Sequence, residues 1–143
     1  MTRPPRPRGL NVAQQALALS RHFPGSRVNV RAGTLRWSGQ LQPTEISRVY
    51  TVEVALGHDR IPRVRVLAPP LTTRRSESLP HVYGDGTLCL YTPGEWRSSM
   101  FLAWTIIPWA TEWLINYEIW LSTGEWFGGG EWPPRRDDAK AAA

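Results

Sequence analysis

The stretch that decides the reading is Leu79-Pro80-His81-Val82-Tyr83-Gly84-Asp85-Gly86-Thr87-Leu88-Cys89-Leu90. It holds the only cysteine of the chain, which can build neither an internal disulfide nor the usual tetrahedral zinc site and which fits a reducing compartment. By itself, a cysteine behind an aliphatic residue is a small buried hydrophobe, and Asp85-Gly86 is turn chemistry. His81 ahead of a valine can cap a turn or satisfy a backbone carbonyl, and Tyr83 and Tyr91, flanking the loop, can be packing. The chemical alternative is a sulfur that acts both as nucleophile and as leaving group, a combination only cysteine supplies.

Upstream, residues 68–80 carry Pro69, Pro70 and Pro80 with a basic pair at Arg74-Arg75 and read as a loop. Ahead of it stand three segments of strand character: residues 34–41, 48–56 and 63–67. In the second, Tyr50, Val52, Val54 and Leu56 form a strongly apolar face alternating with Val49, Thr51, Glu53 and Ala55. The separators are short and rich in turn formers, so an antiparallel meander is the economical arrangement. Residues 10–23 place Val12, Ala16, Leu17, Leu19 and Phe23 at helical spacing, and Pro24-Gly25 ends the run. Downstream, a helix is expected from about residue 108 to 121, with Pro108 in its first turn. Trp109, Trp113, Asn116, Tyr117, Trp120 and Leu121 fall on or near one face of it, Asn116 being the polar exception.

A length of 143 residues suits one domain. We place it at residues 10–127, between a disordered, basic, Pro-rich tail at 1–9 and a flexible tail at 128–143. The net charge of +5 comes from 17 basic and 12 acidic residues. Part of the excess sits in the first tail, at Arg3, Arg6 and Arg8, so nucleic acid is not the expected partner. No apolar run is long enough to span a membrane, and the basic N-terminus lacks the apolar core of a secretory signal; a cytoplasmic location follows. Neither a Gly-rich phosphate loop, nor paired metal ligands, nor a Ser-His-Asp ordering occurs, and no cofactor is expected. Of the eight tryptophans, those on the helix suit a core. Trp126 and Trp132 flank Gly128-Gly129-Gly130, in a segment expected to be too flexible to bury them, and are candidate partner contacts.

The quoted stretch resembles the active-site segment of the ubiquitin-conjugating enzyme family. There a His-Pro-Asn triplet is followed by seven residues, then by the catalytic cysteine and a leucine. Here the proline is Pro80, the loop runs through Tyr83, Asp85-Gly86, Thr87 and Leu88, and the cysteine is Cys89. Two positions depart from the pattern: Leu79 stands at the His position and His81 at the Asn position. The resemblance spans residues 10–121 and includes Pro62, Val64 and Val66 as the family's Pro-x-Val-x-Phe strand, with Trp96 downstream. It implies an α+β conjugating-enzyme-like fold: N-terminal helix, antiparallel β-meander of three to four strands, active-site cysteine loop and C-terminal helices. It also implies an enzyme, a cysteine acyl (thioester) transferase in which His81 takes the place of the Asn that donates to an oxyanion or holds the loop. By the same resemblance Asp85 would polarise an incoming lysine, with Tyr83 and Tyr91 as further support. The run 109–126, with Tyr117-Glu118, Trp120 and Thr123-Gly124-Glu125-Trp126, is more similar to a bacterial branch, the conjugating-enzyme-like proteins of type II CBASS anti-phage systems. These act on a cGAS-like nucleotidyltransferase, which becomes the implied partner. Without a nucleotide-binding loop in this sequence, the activated acyl group would have to come from a separate activating enzyme or from a further domain. The alternative is a conjugating-fold binding module without catalysis, favoured by the departure at His81.

Overall fold

The computed structural model describes residue 2 and residues 9–75 and 77–128. In order these form α1 (Val12–His22), β1 (Arg27–Arg31), β2 (Thr34–Leu41), β3 (Tyr50–Leu56), β4 (Pro62–Ala68), a 3-10 turn (Leu102–Trp104) and α2 (Ile106–Thr123). The four strands make one antiparallel sheet in the order β1-β2-β3-β4, so the protein is α+β with a meander, as expected. Among the described residues no helix is long and apolar enough to cross a membrane.

Helix α1 starts where Asn11 caps it. The Asn11 side chain accepts from the Gln14 N–H at 2.8 Å, and the Gln14 side chain accepts from the Asn11 N–H at 2.9 Å, a reciprocal box that satisfies two donors of the first turn. Strand β3 buries Tyr50, Val52, Val54 and Leu56 and leaves Thr51, Glu53 and Ala55 half-buried, the period-two pattern read above. Strand β1 was not among the three segments expected from the sequence. Its residues, Arg-Val-Asn-Val-Arg, are mostly exposed, and tertiary pairing with β2 defines it, from Arg27↔Ser38 to Arg31↔Thr34. The turn between them is Ala32-Gly33, both at positive φ (50° and 76°), which suits a two-residue hairpin. On β2 the indole of the fully buried Trp37 lies across Gly39, where a Cβ would come within 2.4 Å of it; a side chain there cannot be accommodated without repacking.

Where several closing helices were expected, the described residues hold one α-helix, introduced by the 3-10 turn. Pro108 lies in its first turn and Gly124, at φ 81°, ends it, since glycine enters the left-handed region without a Cβ clash. The buried face of α2 is Ile106, Ile107, Ala110, Trp113, Leu114, Tyr117 and Trp120, so Trp113 and Trp120 are core while Trp109 is half-buried. Tyr50 joins α2 to the sheet through its ring contact with Tyr117 and its hydroxyl bond to Glu118 at 2.9 Å.

One buried polar side chain ties α1 to the segment leading into α2. Gln15, 1% exposed, donates to the Met100 carbonyl at 2.8 Å and accepts from the Leu102 N–H at 2.9 Å. Gln15→Met keeps the volume but leaves both backbone groups without their partner, which costs about 1–3 kcal/mol. A lowered denaturation midpoint, with no comparable change for a substitution at exposed Leu17, is the expected outcome.

Candidate active site

The cysteine loop begins as a small hairpin. Val82 bridges Leu88, the Tyr83 N–H donates to the Thr87 carbonyl at 2.8 Å, and the Gly86 N–H donates to the Tyr83 carbonyl at 2.9 Å. Asp85 stabilises the turn: its Oδ1 accepts from the Thr87 hydroxyl at 2.6 Å and from the Thr87 N–H at 3.0 Å. The hydroxyl bond, followed by the backbone one, holds this exposed carboxyl below its usual range. The hairpin docks on β4, with the Leu88 N–H donating to the Val64 carbonyl at 2.9 Å and Arg65 donating to the Asp85 carbonyl at 2.7 Å. Asp85 is thus engaged in shaping the loop and does not line the cleft of Cys89.

Beyond the hairpin the chain turns on His81. Its carbonyl accepts from the Cys89 N–H at 2.8 Å and from the Trp113 indole N–H at 3.1 Å. Its φ is 51°, a left-handed conformation that a non-glycine residue adopts at a cost of about 1–3 kcal/mol and keeps only where its surroundings enforce it. The enforcement comes from these two donors and from the imidazole, 4% exposed, stacked on the Trp126 ring at 4.8 Å and 25°. Trp126 rests in turn on Trp113, with centroids 5.5 Å apart. The expectation that the segment after α2 is too loose to hold Trp126 is therefore corrected: its ring packs on the protein's own His81 and Trp113. Trp132 lies outside the described residues.

Cys89 is half-exposed and opens on a cleft of about 340 Å³. The loop supplies His81, Cys89 and Tyr91; α2 supplies Trp109, Glu112, Trp113 and Asn116; Trp126 closes one side. The four α2 residues follow the i, i+3, i+4, i+7 spacing that aligns side chains on one helix face. Among the described residues no lysine or arginine lines this cleft, whereas two carboxylates, Glu95 and Glu112, do. Glu95 accepts from the Thr92 hydroxyl and from the Thr92 N–H, which keeps its carboxyl below the ordinary range.

A second cleft of about 1250 Å³ lies against the same loop and shares His81, Leu90 and Tyr91 with the first. Tyr83 and Asp85 line it. The Tyr83 phenol neighbours Cys89, and the interaction with that thiol, with burial second, pushes the phenol up to about 12. Tyr91 packs against Trp109 at 5.8 Å, and burial raises its hydroxyl above the usual value.

The structure thus brings together Cys89, His81, Tyr83, Tyr91 and Trp126, and sets Asp85 apart. Sequence reasoning did not single out Glu95, Glu112 or Asn116 as site residues. Of these only Asn116 left a trace, as the polar break in an otherwise apolar helix face.

The arrangement is a partly exposed thiol in a cleft that also presents two carboxylates. No curated protein matches the chain. A family model described as Type II CBASS E2 protein matches residues 15–134, a span that contains the helix, sheet, loop and cleft described above, and the chain belongs to that family.

Proposed function

We propose that Cys89 carries an acyl group as a thioester, taken from the C-terminus of a partner protein and passed to an amine. The observation that carries this reading is the partly exposed Cys89 in a cleft where the described residues contribute two carboxylates and no lysine or arginine. The thiolate attacks the activated carbonyl and the activating group departs. An amine then attacks the thioester carbonyl, the C–N bond forms as the C–S bond breaks, and the sulfur leaves with the electron pair. The Tyr83 phenol is placed to donate to that sulfur as charge gathers on it. Glu95 and Glu112 favour the approach of a protonated amine and can accept the proton it sheds. His81 contributes by fixing the loop through its carbonyl and its stacked ring.

Membership of the Type II CBASS E2 family supports a partner protein within a CBASS anti-phage system. We take this partner to be a cGAS-like nucleotidyltransferase whose C-terminus is the cargo and whose output rises on modification. A separate activating enzyme would deliver the acyl group.

Two outcomes follow. Iodoacetamide should alkylate Cys89 in the native protein without denaturant, and Trp126→Ala, which removes one wall, should raise the rate; a thiol that reacts only after unfolding contradicts the reading. Co-expression with the nucleotidyltransferase and an activating enzyme should yield a reductant-sensitive adduct by intact-mass spectrometry. Cys89→Ala should abolish it and Cys89→Ser should convert it to a reductant-resistant ester. A Cys89→Ala protein that supports defence as well as the wild type would point instead to a binding module without catalysis.

A further inference from the structure

Asn116 projects from α2 into the Cys89 cleft, on the helix face that carries Glu112 and Trp113. It is half-buried, and its carboxamide makes no hydrogen bond among the described residues. Beside it lies Trp126 Nε1, closed off from solvent and without a hydrogen-bond partner among the described residues. A Cβ built on Gly128 would meet Asn116 Nδ2 at 2.6 Å and Trp126 Nε1 at 2.7 Å, so the two nitrogens flank one narrow space that only a bare backbone can cross. A half-buried carboxamide with no partner among the described residues keeps its N–H donors available to a group bound in the cleft.

Acyl transfer at a thioester calls for such a donor. When an amine adds to the carbonyl, the oxygen takes up the electron pair of the C=O bond and becomes an oxyanion; when the C–S bond breaks, the pair returns. The stabilising group must donate at the oxygen and must not be engaged elsewhere. Several other polar groups of the cleft are already engaged: the Thr92 hydroxyl donates to Glu95, the His81 imidazole lies under the Trp126 ring, and the carboxylates of Glu95 and Glu112 accept and do not donate. The Tyr91 phenol, which also lines the cleft, packs against Trp109 and is shared with the second cleft. We infer that the Asn116 carboxamide is a further catalytic residue, donating its N–H to the oxyanion formed at the acyl group on Cys89, with the Trp126 indole packed beside it. This rests on the thioester reading above.

The test uses the full chain loaded chemically. A short glycine-terminated peptide, supplied as its mercaptoethanesulfonate thioester, exchanges onto Cys89 with release of mercaptoethanesulfonate, and free lysine or hydroxylamine then discharges it, both followed by intact-mass spectrometry. Alkylation by iodoacetamide, which needs the thiol but forms no oxyanion, is measured in parallel. Asn116→Ala and the isosteric Asn116→Asp should each slow aminolysis by about 100-fold or more, the loss expected when one oxyanion donor is removed. Their alkylation rates should stay within about twofold of wild type, because no transition-state hydrogen bond is at stake in that reaction. Aminolysis by Asn116→Ala within about fivefold of wild type overturns the inference, as does a parallel fall in alkylation, which marks Asn116 as structural. A wild-type protein that is alkylated but never acquires the peptide removes the thioester reading, and the inference with it.

Discussion

The carbonyl oxygen of His81 is the point from which the site hangs. It receives the N–H of Cys89 from within the loop and the indole N–H of Trp113 from α2, so one acceptor sets the distance between the sulfur and the helix that walls its cleft. A carbonyl has two lone pairs, and both are used. The orientation that permits this requires a left-handed backbone at residue 81. Among residues with a Cβ, asparagine, aspartate and histidine tolerate that conformation best. His81 thus belongs to the small set of side chains that this backbone favours. The histidine adds a flat ring, and that ring is what Trp126 stacks on.

Charge is distributed against the average. The chain is basic overall, yet among the described residues the lining of the Cys89 cleft contributes carboxylates and no lysine or arginine. Guanidinium groups lie instead along the sheet and its turns, where Arg36 pairs with Glu53 and Arg63 with Asp59, both at 2.9 Å. These pairs are largely exposed and add little to stability.

Legibility followed the range of the interactions. The alternation of β3, the helix of residues 12–22 with its stop at Pro24-Gly25, and Pro108 in the first turn of α2 are written in neighbouring residues, and the sequence reading of each agrees with the structure. Asp85 could be read in two ways, because a carboxylate two residues before a threonine serves a turn as readily as a reaction; its bonds to Thr87 show the turn role. Trp126 was misjudged because its neighbours, His81 and Trp113, are remote in the chain and a glycine-rich flank suggests looseness where packing supplies order. Asn116 was noted only as an exception, since periodicity tells which face a residue occupies but not what stands opposite.

Strand β1 escaped notice because arginines at both ends and an asparagine in the middle leave it little apolar character. The same composition has a consequence at the sheet margin. An outer strand with unpaired backbone groups is a template for another chain, and charged side chains spoil that template. At the opposite margin, the Leu88 N–H already occupies the Val64 carbonyl of β4. The Cys89 loop therefore occupies part of that margin, and a strand added along β4 would meet it there.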